Sequence, residues 1–442
     1  MKKFYLKHTS TKEEITIEEW FDRCLKNNDY SKEHFEVYYP SIEKKLINKR
    51  NFHNNNIGMW KYFDLLPLND ENNIISSGEG NVAIENWEFL EKIAQEKFNL
   101  NIKVYAQRHD NHSSTGTFKD LAGSLVASGL KEAKVKNYVV ASTGNIATSF
   151  SRYLSDANIN FYAFIPKNSS KMQEAEISCF GQKVYRINGD YSDTKKMSVE
   201  FANKNNYLLA AGTFDPLRIE AKKTMAYEWL RQLDIFPTAY IQGLSGGTGP
   251  IGIEKGCREM THLGLIEKEP KYLLVQSNKC APMADAYKAA SEKNFMEDDW
   301  HKKYPIYKNP ETEITTLATG NPGAYPYIAK IVRKSNGFIN DFDESKVLDI
   351  MKIISFYRAV RVGPAAAVAI GGFFEALKNN QLSNNDVVLI NIGEGMRRSP
   401  EFMIRMIKEN KLISNIDECE EFDRSFVKKE IDSLINNLTS AV

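Results

Sequence analysis

The chain has 442 residues, of which 42% are hydrophobic and 26% charged, and its net charge is +1. That length fits two or three domains and a core large enough to need no disulfides, and the near-neutral balance excludes a global bias toward nucleic acid or acidic membrane. Cys24, Cys179, Cys257, Cys280 and Cys419 are scattered with no C-x-x-C spacing, which argues against a disulfide framework or a zinc ribbon and for the reducing cytoplasm.

The start, Met1 to His8, is basic but lacks an apolar run behind it, so it does not read as a secretory signal. Residues 1–60 are polar and read as an N-terminal extension or cap, with an amphipathic helix over Thr16–Leu25 and a loop at Asn51–Asn56. From Lys103 onward, short apolar runs alternate with helical patterns. The predicted strands are Lys103–Gln107, Tyr138–Ser142, Phe161–Ile165, Lys183–Ile187, Tyr207–Ala211, Ala239–Gln242, Tyr272–Gln276 and Val387–Asn391. Near-continuous apolar strands suit a parallel sheet covered on both faces. Helices are predicted over Asp193–Lys204, Ile219–Gln232 and Lys346–Ala359. Val362–Leu377 is the most apolar stretch, but Gly363, Pro364, Gly371 and Gly372 interrupt it, so it reads as a buried helix or helix junction and not a membrane span. The alternation gives an α/β class with ligands at the carboxyl ends of strands.

Three strand–helix junctions carry chemistry. The first is Ser114-Thr115-Gly116-Thr117-Phe118-Lys119-Asp120, ahead of an apolar helical run. A lysine at such a turn can be desolvated, which lowers its pKa and lets its amine form a Schiff base with an aldehyde. A surface lysine in a first helical turn is the plain alternative. The second is Ser142-Thr143-Gly144-Asn145, where a helix N-terminus and two hydroxyls can hold a carboxylate and the Asn145 amide can reach a ring hydroxyl. Its plain alternative is a capped helix. The third is Gly243-Leu244-Ser245-Gly246-Gly247-Thr248-Gly249, followed by Pro250. It can cradle a phosphate with backbone donors, although it is neither a P-loop nor a G-x-G-x-x-G fingerprint. Its plain alternative is a tight turn. In that order, the three supply what pyridoxal 5′-phosphate needs: a lysine for its aldehyde, donors for a substrate carboxylate and a neutral cradle for its phosphate.

On these residues the chain resembles the fold-type II pyridoxal-phosphate enzymes, the tryptophan synthase β family, and within it the threonine synthases and cysteate synthases. The likeness spans roughly residues 58 to 400. It includes Met59-Trp60-Lys61-Tyr62 with Leu65-Leu66-Pro67, Ser77-Gly78-Glu79-Gly80, Thr115 to Asp120, Ser142 to Asn145, Arg218-Ile219-Glu220 with Lys223-Thr224, Ser245 to Gly249, and Asn321-Pro322. The resemblance implies two open, twisted, mostly parallel sheets flanked by helices, with an N-terminal extension. It implies an extension over 1–60, a large domain over 61–130 and 215–442, and a small domain over 131–214. It also implies a homodimer, with a second subunit as an alternative, acting on a small amino acid. The implied activity is a β- or γ-replacement or elimination with Lys119 as Schiff-base lysine and general base. Gly243, Ser245, Gly246, Gly247, Thr248 and Gly249 would hold the cofactor phosphate. Asn145 would face the phenolic oxygen, and Thr115, Ser142, Thr143, Gly144, Asn145, Arg108 and His112 would bind substrate.

Three departures stand out. Ile392 occupies the position where such sequences place a Thr or Ser on the pyridine nitrogen, leaving Asn391 or Glu394 for that role, or Glu394 as a plain helix-start acid. Arg108-His109-Asp110 replaces Lys-Asp-Glu or Lys-Asn-Glu, and Thr213-Phe214-Asp215-Pro216 stands where an Asn-Pro segment is usual. They weaken the case for O-phosphohomoserine and keep two alternatives open: the pyridoxal-phosphate subunit of a thiolase such as 2-amino-4-ketopentanoate thiolase, or a non-catalytic binding protein. His109, Asp110 and His112 have no further ligands near them in sequence, so no metal is expected. Arg397-Arg398 fits either solvated charges or an anion contact.

Overall fold

The alternating region folds into two sheets, and the residues before it form a third. The structure, a computed structural model, describes residues 3–27, 33–43, 57–142, 144–406 and 412–440. The predicted loop at Asn51–Asn56 and Thr143 lie outside the described residues. In chain order the strands are β1 (Tyr5–His8), β2 (Glu14–Ile15), β3 (Phe35–Tyr38), β4 (Ile84–Asn86), β5 (Lys103–Gln107), β6 (Asn137–Ala141), β7 (Asn160–Pro166), β8 (Lys183–Ile187), β9 (Leu208–Leu209), β10 (Ala239–Gly243), β11 (Lys271–Ser277), β12 (Phe338–Phe342) and β13 (Val387–Asn391).

The larger sheet has the order β12-β11-β10-β13-β5-β4, parallel except for the antiparallel edge strand β4. The smaller is fully parallel, β8-β7-β6-β9. Every residue of β13, Val-Val-Leu-Ile-Asn, is buried, as a central strand covered on both faces requires. The helix Pro364–Lys378 is the apolar stretch seen in the sequence, and it lies buried against β10 and β11. The helix Lys119–Glu132 is buried from Asp120 through Leu130, which is why the lysine turn leads into the core and not along the surface.

The predicted strands are present, three of them with unchanged bounds. The run at Tyr207–Ala211 shortens to Leu208–Leu209 because the chain turns at Gly212–Phe214. Two sheet edges escape a reading based on apolar runs: β4 is only three half-buried residues, and β12 carries Asn340 and Asp341.

The N-terminal strands form an antiparallel sheet, β2-β1-β3, beside the helix Ile17–Lys26. A capping box at Thr16 and Glu19 starts that helix, and Ile17, Trp20, Phe21 and Cys24 form its buried face. This unit is anchored to the larger body: the Tyr39 hydroxyl donates to Glu220 at 2.6 Å, and Lys255 Nζ donates to the Val37 carbonyl at 2.8 Å.

Parallel pairing of β10, β13 and β5 brings three loops to one sheet end. Backbone bonds then join them. The Phe118 N–H donates to the Gly393 carbonyl, the Gly395 N–H to Gly116, and the Gly363 N–H to Glu394, each at 3.0 Å. The lysine turn and the segment after β13 are thus one stitched unit.

Candidate active site

A cavity of about 690 Å³ opens at that end. Its wall includes Lys119, Ser142, Gly144 and Asn145, the whole run Gly243 to Gly249, Asn391 and Glu394. All three junctions read from the sequence therefore meet in one space.

Lys119 begins its helix, and its Nζ lies 4.1 Å from the centre of the Phe118 ring. Burial, reinforced by the Arg218 guanidinium, pulls its pKa down to about 7, while Glu394 opposes the shift. An amine with that pKa is neutral for a large part of the time near neutrality, the state needed by a nucleophile or a base.

The glycine loop joins β10 to the helix Thr248–His262. Gly247 caps the helix at φ +95°, a conformation that a side chain would strain, and a Cβ at Gly249 would lie 2.3 Å from the Gln242 amide. Ser245 Oγ is 2.7 Å from Thr319 Oγ1, which pins the loop from across the cavity. A helix start with free N–H groups behind a close-fitting turn suits an anion.

Asn391 and Ile392 part company as neighbours on a strand do. Ile392 is fully buried in the apolar core, so it makes no polar contact with the cavity. Asn391 lines the cavity, and both polar atoms of its side chain are buried with no hydrogen-bond partner within normal geometry among the described residues. Glu394 Oε1 accepts the Ala365 N–H at 3.0 Å, and Oε2 accepts Asn145 Nδ2 at 2.5 Å. Burial pushes its carboxyl pKa up, while the Ala365 N–H, Asn145, Arg398 and Lys119 hold it down. It is no surface acid.

Three expected substrate contacts are not on this wall. Arg108 is held by Asp110 and by Glu85, the latter at 2.7 Å, so its guanidinium is already neutralised. His112 Nε2 sits 3.0 Å from His109 Nδ1; both rings are buried, and burial drops His112 to about 3 and His109 well below its usual value. Thr115 gives its N–H and hydroxyl to Asp120 at the helix start. Its role is to shape the lysine turn. Among the described residues, no three His, Cys, Asp or Glu side chains gather as a metal site.

Three further polar residues belong to the site. Arg218 and Lys195 line the cavity; Arg218 Nη1 donates to the Gly212 carbonyl at 2.6 Å, and neither side chain forms an ion pair among the described residues. The Arg218 Nε is buried without a partner, and Lys195 Nζ lies 4.4 Å from the Tyr191 ring centre. Arg398, at the turn Met396–Arg398, is 1% exposed and donates to Asn145 Oδ1 at 2.9 Å. Arg218 was visible only inside a matched segment. The adjacent pair Arg397-Arg398 gave no sign of which one is buried.

A sequence profile described as pyridoxal-phosphate dependent enzyme matches residues 75–393. The chain belongs to that family. Among relatives in the family, the threonine synthase of Methanocaldococcus jannaschii is 26% identical over 84% of this chain and 88% of its own length. A cysteate synthase of Methanothrix thermoacetophila is 23% identical over 78% and 82%. Among solved structures, holo diaminopropionate ammonia lyase from Escherichia coli aligns at TM-score 0.61, 14% identity, over 74% of this chain and 88% of that one. O-acetylserine sulfhydrylase isoform 3 from Entamoeba histolytica aligns at TM-score 0.60, 14% identity, over 81% and 93%. The fold is that of the fold-type II enzymes, as the resemblance implied. The family's cofactor is pyridoxal 5′-phosphate. The residues here fit it: a depressed lysine, a glycine cradle that side chains would fill, and unpartnered amide atoms on Asn391 share one cavity.

Proposed function

We propose that this enzyme carries out a β- or γ-replacement or elimination on an amino acid bearing an anionic side-chain group. The carrying observation is the meeting, in one cavity, of the Lys119 amine, the glycine cradle and two cations without an ion pair among the described residues, Arg218 and Lys195. Gly243 to Gly249 would hold the cofactor phosphate, and Lys119 would be the lysine that meets its aldehyde. Glu394 or the Asn391 amide would hold the pyridine nitrogen, and Asn145 the phenolic oxygen. Bound there, the cofactor supplies an electron sink for a carbanion at the substrate Cα.

The rest is the work of the chain. Lys119 Nζ is placed to take the Cα proton as general base, which its pKa near neutrality allows. Ser142, Gly144 and the start of the helix Asn145–Asp156 bind the α-carboxylate and orient the Cα–H bond. Arg218 and Lys195 attract the leaving group. The names of the threonine synthase and cysteate synthase relatives favour replacement chemistry of this kind. We read 131–214 as the small domain and 61–130 with 215–442 as the large one. We place the enzyme in the cytoplasm as a homodimer. The five free cysteines support a reducing compartment, and no described helix is long and apolar enough to cross a membrane.

The test is spectral. The loaded protein is yellow, and its visible spectrum moves on addition of O-phosphoserine or O-phosphohomoserine but not alanine. Lys119→Ala loses the colour and at least about 1,000-fold in turnover, in the range expected for a general base. A Lys119→Ala protein with unchanged spectrum and rate sinks the assignment. A spectrum unmoved by every amino acid favours a binding protein instead.

A further inference from the structure

Asn145 sits between a pure donor and an acceptor. Its Oδ1 accepts Arg398 Nε at 2.9 Å, and its Nδ2 donates to Glu394 Oε2 at 2.5 Å. A guanidinium has no acceptor and an ionised carboxylate has no donor, so only one of the two amide orientations satisfies both. The flipped amide would set N–H against N–H and oxygen against oxygen. Glu394 alone gives only half of this discrimination.

Arg398 is itself fixed on every side. Its Nη2 donates to Thr148 Oγ1 at 3.0 Å, its Nη1 pairs with Glu176, and the residue is 1% exposed. It comes from the turn after β13 in the larger sheet. Asn145 and Thr148 are on the helix that follows β6, and Glu176 is on the helix Lys171–Cys179 after β7, both in the smaller sheet. Asn145 thus takes its orientation from the opposite half of the molecule.

We infer that Arg398 is a positioning residue that locks the Asn145 amide with its NH2 group toward Glu394 and the cavity. This rests on the reading of the cavity as the pyridoxal-phosphate site. There, the lock means that the ring's oxygen substituent meets an N–H donor and never the amide oxygen. Arg398 contacts neither substrate nor cofactor and acts only through Asn145. A wrong amide end misplaces a group at hydrogen-bond distance from the reacting ring, an error of the size that costs about 100-fold in rate.

The test compares four variants with the intact chain. In the cofactor-free protein, labelled with 15N-asparagine, the Asn145 side-chain amide gives one well-separated pair of signals. In Arg398→Met that pair shifts or broadens, whereas in Glu176→Gln it stays. In the loaded protein, Arg398→Met moves the visible absorption in the same direction as Asn145→Asp, which keeps the Arg398 acceptor but removes the donor. It also lowers kcat about 100-fold with KM little changed. Arg398→Lys, still a donor without an acceptor, recovers part of both. An unchanged Asn145 amide in a folded Arg398→Met protein overturns the inference whether or not cofactor is taken up. So does a Glu176→Gln protein as impaired as Arg398→Met, which would show that bridging the two sheets is what matters. A wild-type chain with the locked amide that takes up no pyridoxal phosphate overturns the Lys119 assignment and leaves the lock standing.

Discussion

Lys222 and Lys223 are consecutive and both fully buried, yet they belong to opposite electrostatic worlds. Lys223 pairs with Glu220 at 2.6 Å and Glu259 at 3.1 Å, and Lys255 joins the same carboxylates at 3.3 and 2.9 Å. Lys222 has only the Arg218 carbonyl, at 3.2 Å, and forms no ion pair among the described residues. Burial pulls the Lys255 and Lys222 ammonium groups toward neutrality. In the paired cluster Glu220 and Glu259 outweigh it and the Lys255 pKa rises; around Lys222 burial, Lys119 and Arg218 act together against the single opposing carboxylate, Asp215, and its pKa falls well below normal. The same helix, Pro216–Gln232, therefore holds one lysine in an ion-pair cluster beside the N-terminal unit and another beside Lys119 and Arg218, where Asp215 offsets only part of the cost. Burial sets the cost of a charge, and a carboxylate close enough to form an ion pair decides whether the charge survives.

Breaking the paired cluster gives the largest expected effect. Glu259→Gln leaves Lys223 and Lys255 to share Glu220 in a buried space, and removing one member of such a network costs about 3–5 kcal/mol. Urea unfolding measures it. A loss below about 1 kcal/mol would mean the cluster is solvated and the contrast with Lys222 is false.

On the other face the sign reverses. A lysine whose folded pKa lies below its unfolded value lets the unfolded chain bind more protons, so its contribution to stability falls as pH drops from the free-lysine value of 10.5 toward the folded pKa. Lys222→Met removes that dependence. The cofactor-free variant should be more stable than wild type at pH 7, and its stability curve above pH 7 should be flatter by up to about 1.4 kcal/mol per pH unit. Parallel curves for the two proteins would show that Lys222 stays charged.

What could be read from residues alone followed the same divide. The glycine loop, the lysine turn and the Ser142–Asn145 loop were legible because each is a local pattern between a strand and a helix. The glycine loop and the lysine turn meet because β10, β13 and β5 run parallel and end at the same edge, while the Ser142–Asn145 loop reaches the cavity from the smaller sheet. Arg108 and His112 misled because sequence nearness to Lys119 is not nearness to its amine: the chain turns away at His109–Asn111, and both side chains find partners behind the turn. Arg398 stayed ambiguous because its partners Asn145, Thr148 and Glu176 lie more than two hundred positions earlier. The sequence strip Lys222-Lys223 carries no sign of which lysine meets a carboxylate.

The helix Thr248–His262 allows the two faces to be separated more finely. Its first turn holds the glycine cradle, and its middle holds Lys255 and Glu259. Gly247→Ala forces a side chain into φ +95° and costs about 1–3 kcal/mol of local strain. That strain falls on the cradle, so the variant should bind pyridoxal 5′-phosphate more weakly while the paired cluster keeps its share of stability. A cofactor affinity equal to wild type would remove the cradle from the phosphate site.

The smallest effect tests whether the N-terminal unit contributes on its own or only through the paired cluster. Thr16 caps the helix Ile17–Lys26 by accepting the Glu19 N–H at 3.1 Å, and Glu19 returns a bond to the Thr16 N–H at 2.7 Å. Thr16→Ala removes the first of these at a cost of about 1 kcal/mol. The helix sits outside the paired cluster, which meets the N-terminal unit at Tyr39 and Val37 instead. The losses in Thr16→Ala and Glu259→Gln should therefore add in the double variant, as they do for sites without shared partners. A double variant that loses distinctly more or less than the sum would show that the cap and the ion cluster hold the N-terminal unit as a single cooperative element.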